Sequence, residues 1–175
     1  MVSDVHYASA AEAARRSLVY EPITGPLRRW LVRQYRHWIW LRDPFAHNHL
    51  LDRFIAGTAG ADLVVANGDY SCDSAYIGVV DEATFQSARE CLGKLRGAFG
   101  GRFRATIGDH EIGKKMLAAD LGGLRLASYQ RAQGGLGLEP FWREEIGHYV
   151  LLGVVSTLIA FPIYAAEGGR PQPLS

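Results

Sequence analysis

Ala61-Asp62-Leu63-Val64-Val65-Ala66-Asn67-Gly68-Asp69 is the stretch on which the fold turns. Leu63 to Ala66 is apolar without a break and stops abruptly at Asn67-Gly68. A short apolar run of this kind, β-branched and bounded by turn residues, reads as a buried strand. Valine supports that reading, because its branched Cβ loses rotamer freedom in a helix and fits a pleated surface. Working outward, Asp81 to Phe99 predicts a helix with Phe85, Ala88, Cys91, Leu92 and Leu95 on one face. Gly100-Gly101 ends it, and Phe103 to Ile107 predicts the next strand, stopping at Gly108-Asp109. On the amino-terminal side, Met1 to Asp4 reads as the end of a very short strand. An alanine-rich helix follows over Ala8 to Val19, interrupted by Pro22, Gly25 and Pro26. Strand followed by helix, three times over, implies an α/β fold with a mostly parallel sheet flanked by helices.

The remaining segments fill in around this frame. Leu27 to Leu41 places Leu27, Trp30, Leu31, Gln34, Tyr35 and Trp38 at helical spacing among Arg28, Arg29, Arg33 and Arg36. The expected arrangement has the aromatics in the core and the arginines as the wet face. A membrane surface or nucleic acid is the alternative for such a pattern, as is a role overhanging a site. Asp43-Pro44 breaks this helix, and Pro44 is suited to open the next one, running through Leu50, Leu51, Phe54 and Ile55 to Gly57. Met116 to Tyr129 is helical at least in part, weakened by Gly122-Gly123. Tyr149 to Ala166 is the longest uncharged apolar stretch and approaches transmembrane length. Its valine, isoleucine and threonine content, with Gly153 and Pro162, favours a buried strand with an irregular continuation. One domain over residues 1–166 and a loose tail over 167–175 follow.

Composition narrows the class. A hydrophobic share of 48% and a charged share of 21% belong to a globular protein. A net charge of +1 argues against a large nucleic-acid footprint, which needs a basic face. Cys72 and Cys91 are too few for a disulfide framework or a four-thiolate zinc site, and two reduced thiols are expected. The amino terminus carries no secretory pattern, so a cytoplasmic location is expected, with no membrane partner.

Chemistry is concentrated in three clusters: Asp4-Val5-His6, Gly68-Asp69 and Gly108-Asp109-His110-Glu111. Each ends a predicted strand, and ligands of such sheets bind beyond the carboxyl ends of the strands. A carboxylate and an imidazole two residues apart can face one ion, and this donor pair suits Mn, Fe or Zn better than Ca. Asp69 and Asp109 each follow a glycine that lets the chain turn sharply. A carboxylate held between two cations about 3.5–4 Å apart offsets their repulsion. His47 and His49, near Asp43 and Asp52, read as the polarity of a helix surface.

In their order, these clusters resemble the first three motifs of the calcineurin-like metallophosphoesterases: Asp-x-His, Gly-Asp and Gly-Asn-His followed by an acid. The resemblance spans residues 4 to 111. It implies half of that family's four-layer α/β sandwich and two divalent ions (Mn, Fe or Zn). The implied reaction is hydrolysis of a phosphoester by a metal-bound hydroxide. By the same resemblance Asp4 and His6 bind the first metal, Asp69 bridges both, and Asp109 stands in place of the family's asparagine ligand. His110 contacts the phosphoryl group and protonates the leaving oxygen, and Glu111 orients that histidine. The partner implied is a phosphorylated substrate. The chain departs from the family after His110: His148 is its only further histidine, and no Gly-His-x-His occurs. The chain is therefore expected to be the amino-terminal portion of such a domain, or a catalytically incompetent scaffold of the same fold.

Overall fold

The structure, a computed structural model, describes residues 1–14, 25–38, 42–72, 77–113, 124–160 and 163–164. In chain order its elements are α1 (Ala10–Ala14), α2 (Pro26–Arg36), α3 (Asn48–Gly57), β1 (Val64–Ala66), α4 (Glu82–Phe99), β2 (Phe103–Ala105), α5 (Asp109–Ile112), β3 (Leu124–Arg125), α6 (Leu126–Leu136), β4 (Phe141–Ile146), β5 (Tyr149–Val154), α7 (Thr157–Ala160) and β6 (Ile163–Tyr164). The fold is mixed α/β.

β1 and β2 pair in parallel, Val64 with Phe103, Val65 with Arg104 and Ala66 with Ala105. The Thr106 N–H donates to the Ala66 carbonyl and extends the ladder by one residue. Residues 2–7 run along the other edge of β1 without forming a full strand. One isolated parallel bridge joins Val2 to Ala66 of β1, and a second joins Tyr7 to Ser71 in the loop beyond it. The expected strand over Met1 to Asp4 is thus reduced to single bridges, because Asp4 and His6 both have positive φ and break the extended path.

α4 lies against this pair and supplies most of the core. Asp81 caps it by accepting from the Thr84 N–H at 2.9 Å. Phe85, Ala88, Cys91, Leu92, Leu95 and Phe99 are buried along one face, as the periodicity predicts. α1 packs on α4 through Ser9, whose N–H donates to the Ser87 hydroxyl at 2.9 Å. Glu12 of α1 is buried and accepts from the Cys72 N–H. Cys72 and Cys91 are both buried and not joined to each other. Ser128 on α6 accepts from the Val80 N–H and donates to the Ile77 carbonyl, fixing α6 beside the turn that precedes α4.

Three expectations are overturned. Pro44 does not open α3; Asp43 Oδ1 and its carbonyl accept from the N–H groups of Phe45 and Ala46, holding a turn, and α3 starts at Asn48. The apolar and aromatic residues of α2 and just beyond it are not core: Leu27, Trp30, Leu31 and Tyr35 on the helix and Trp38 after it are all exposed. No described element packs broadly on that helix. The apolar stretch from Tyr149 is not a buried strand. It forms β5, antiparallel to β4 across a turn at Gly147, and Tyr149, Val150, Leu151, Leu152 and Val154 stay exposed. The mostly parallel sheet is accordingly two short parallel pairs, β1–β2 and β3–β6, beside an antiparallel hairpin. The ends of the predicted Ala8–Val19 and Leu27–Leu41 helices, the first half of Met116–Tyr129, and the 167–175 tail lie outside the described residues. No described helix is long and apolar enough to cross a membrane.

The hairpin docks on β2 through the Trp142 Nε1–H, which donates to the Ala105 carbonyl at 3.1 Å, and an Arg104–Glu144 ion pair at 2.6 Å. Gly153 faces the Trp142 indole so closely that an added Cβ would collide with the ring. Gly153→Ala is expected to push Trp142 off Ala105 and to destabilise the chain by about 1–3 kcal/mol. A lowered denaturant midpoint with a shifted tryptophan emission would show it.

Candidate metal centre

The site forms where β1, β2 and the amino-terminal segment end. Beyond β1 the chain turns at Gly68, with φ 88°, into Asp69, with φ 57°. A Cβ at Gly68 would run into the backbone of Gly108, so the two loops meet only because both positions are glycine. Gly108 in turn would clash with Asp69 and Glu111 if it carried a side chain. The two glycines thus let the second and third clusters touch.

Glu111 holds them there. It is fully buried, and its carboxylate accepts from three backbone N–H groups: Asp69 at 3.0 Å, Tyr70 at 2.9 Å and Gly108 at 2.9 Å. Burial pushes Glu111 up to about 7, against the pull of these three donors. Tyr70, also fully buried, adds a second tie: its hydroxyl donates to the Thr106 carbonyl at 2.7 Å and accepts from the Gly68 N–H at 3.3 Å. The amino-terminal segment joins through the His6 N–H to the Asp69 carbonyl at 3.0 Å and the Tyr7 N–H to the Tyr70 carbonyl at 2.9 Å.

These ties bring His6, Asp69 and His110 together, each offering a donor atom within 4.8 Å of the others. The two imidazole rings meet edge to face with centroids 5.0 Å apart. His110 Nε2 lies 4.0 Å from Asp69 Oδ2, and His6 Nε2 lies 4.0 Å from Asp4 Oδ1. Asp69 Oδ1 accepts from the His110 N–H at 3.3 Å. Two imidazole nitrogens and a carboxylate oxygen form a donor set for a divalent transition metal or zinc. Asp4 and Asp109 flank it, both near enough to Asp69 to share a hydrogen bond with its carboxyl. His6, Asp69 and His110, one residue from each of the three clusters, come within reach of one ion, whereas Asp4 and Asp109, the other expected ligands, are outside that close group among the described residues.

The electrostatics are those of crowded acids. Burial raises Asp69 well above the usual carboxylate range, and Glu111 and Asp109 add to the rise. Asp4 is held low, first by the Ser3 hydroxyl and then, against some burial, by His6 and Asp69. Backbone strain accompanies the crowding. Among the described residues, the non-glycine positions with positive φ are Asp4, His6 and Asp69. Such conformations cost roughly 1–3 kcal/mol each and gather where side chains must be aimed.

A cleft of about 690 Å³ opens beside the carboxylates, with Asp4, Asp69 and Asp109 on one side and Leu151, Leu152 and Val154 on the other. Tyr70 and this apolar wall were not legible as site residues in the sequence. A tyrosine after Gly-Asp has no periodic signal, and β5 reaches the site only through the hairpin. A second cleft, of about 580 Å³, contains Arg96, Arg104 and Arg143, but these pair with the Leu136 carbonyl, Glu144 and Glu145. His49 Nδ1 contacts the Ala46 carbonyl on the α3 surface, and neither it nor His47 belongs to a described metal-ligating group.

Comparison with protein-family models, curated proteins and solved structures returned no match.

Glu111→Ala would leave three buried N–H groups without their acceptor. A loss of at least about 3 kcal/mol is expected, since hydrogen bonds to a charged partner are each worth roughly 1.5–3 kcal/mol. Chemical denaturation measures it. A change below about 1 kcal/mol would show that the two loops hold together without this carboxylate.

Proposed function

We propose that the chain is a metal-dependent phosphoester hydrolase of the calcineurin-like kind, acting at the site built by Asp4, His6, Asp69, Asp109 and His110. On this reading β1, β2 and the amino-terminal segment are the edge of a larger parallel sheet of the family's sandwich type. The observation that carries the proposal is the meeting of donor atoms from three remote segments, residues 6, 69 and 110, within 4.8 Å. They come from motifs whose order along the chain is that of the family.

The divalent ions, when bound, would activate a water and neutralise charge on the phosphoryl oxygens. His6 and Asp69 would hold the first ion, with Asp4 beside them. Asp109 offers a further oxygen next to Asp69 for a second ion. His110 would serve either as a ligand or as the group that gives a proton to the leaving oxygen. Glu111 keeps the Gly68-Asp69 and Gly108-Asp109 loops in register. The apolar wall of β5 favours a phosphoester whose organic part is aromatic or aliphatic. An unpaired polar group set against that wall would lose hydrogen bonds to water.

A second reading is a metal-binding scaffold that does not turn over substrate. The feature favouring it is the size of the close donor set, three residues, which suits one ion better than two.

Calorimetric titration with Mn or Zn and hydrolysis of an aryl phosphate separate these readings. The hydrolase reading expects Mn binding and Mn-dependent turnover. Asp69→Asn and His6→Ala should each weaken metal binding by more than about tenfold, or ~1.4 kcal/mol. Metal bound without turnover supports the scaffold. No metal binding, or affinities unmoved by either substitution, ends both.

A further inference from the structure

Helix α2 has no role in the metal centre, and its surface is unusual for a helix of a soluble core. Leu27, Trp30, Leu31 and Tyr35 fall within one arc of roughly 140° on the helix, at 100° per residue, and Trp38 follows two residues past its end. Trp30 is 56% exposed, Tyr35 64% and Trp38 64%, and Leu27 and Leu31 are exposed as well. Arg28 and Arg33 border the arc on its two sides, while positions 29 and 36, also arginine, fall opposite. Arg28, Arg29 and Arg33 are all exposed. The guanidinium of Arg42 stands over the Trp38 ring at 5.3 Å.

Charge decides what kind of surface this face fits. Residues 25–42 contain no acidic residue, whereas α2 alone carries four arginines. Taking those four from the 19 basic residues of the chain leaves 15 against 18 acidic, so the rest of the molecule is net −3. The cationic helix is therefore a local feature on an otherwise acidic protein. Pairing α2 with α2 of a second copy would set four positive charges against four. A nucleic-acid strand would meet either the arginines opposite the arc or the aromatics, but not both at once. A lipid surface takes the aromatic arc together with the two arginines that border it. The apolar arc enters the boundary between headgroups and acyl chains, tryptophan and tyrosine sit at headgroup depth, and the bordering arginines reach lipid phosphates while their stems stay in apolar contact.

We propose that α2 binds the surface of an anionic lipid bilayer, lying in the plane of the interface with Leu27, Trp30, Leu31, Tyr35 and Trp38 inserted. At 11 residues the helix is about 16 Å long, so it lies on the membrane and does not span it. The contact is independent of the metal centre. It also runs against the expectation, from sequence, that these aromatics belong to the core.

The test is flotation of the full chain with phosphatidylcholine vesicles, with and without about 30 mol% phosphatidylserine. The protein is expected to float with the anionic vesicles, with tryptophan emission shifted to the blue, and to be released as salt rises and screens the arginines. Arg28→Gln and Arg33→Gln combined should reduce partitioning by about thirtyfold, the two bordering cations contributing roughly equally. Trp30→Ser with Trp38→Ser should abolish the blue shift. Since all four side chains are exposed, circular dichroism of both variants should match the parent. Absence of flotation with anionic vesicles overturns the proposal, and so does flotation that survives both variants. Sedimentation showing a dimer dissolved by Leu31→Glu would also overturn it by assigning the face to a second copy.

Discussion

A single buried carboxylate organises the candidate site. Glu111 sits in the interior and accepts from the backbone of Asp69, Tyr70 and Gly108, which belong to two loops remote from each other in sequence. An ionisable group taken out of water is costly unless every lone pair finds a donor, and here three N–H groups converge on two oxygens. The same bonds satisfy backbone groups at loop positions where no ladder partner exists. If the two loops separated, Glu111 and three N–H groups would all lose partners together. That coupling makes the rim of β1 and β2 a single unit.

Around this tie the chain accepts strain to aim side chains. Asp4, His6 and Asp69 all take left-handed backbone conformations, and Gly68 and Gly108 touch at a distance that no side chain would allow. Each is unfavourable alone. They bring His6 and Asp69 within reach of His110, with Asp4 beside His6, which an extended strand, alternating its side chains between faces, would not do. The result is an acid-rich pocket in which Asp69 is driven well up by burial and by its neighbours. A divalent cation is the counter-charge that such a donor set fits.

The described surface has two apolar exposures of different character. β5 lines the acidic cleft through Leu151, Leu152 and Val154. The α2 face is fringed by arginines and stands apart from the packed elements. Hydrophobic residues scattered singly over a surface are ordinary; a contiguous aromatic surface with a cationic border is not. The two exposures differ in charge as well as in position in the chain.

Local chemistry in the sequence determined much of this. Valines before Asn67-Gly68 specify β1, and the 3.6-residue spacing with Asp81 and Gly100 specifies α4. The order of the three clusters at strand ends specifies which residues converge, because a parallel pair must deliver both carboxyl ends to one rim. Tertiary structure decided what periodicity cannot encode. A helix with an apolar stripe is buried only if another element comes to cover it, so the spacing of Trp30, Tyr35 and Trp38 was compatible with core and with solvent alike. The run from Tyr149 to Val154 looked like a buried strand because hydrophobicity reports a tendency to leave water. Which neighbour a strand finds depends on pairing, here with Phe141–Ile146. Glu111 was legible as an acid after histidine, but its role as an acceptor for three N–H groups exists only once two distant loops are in contact.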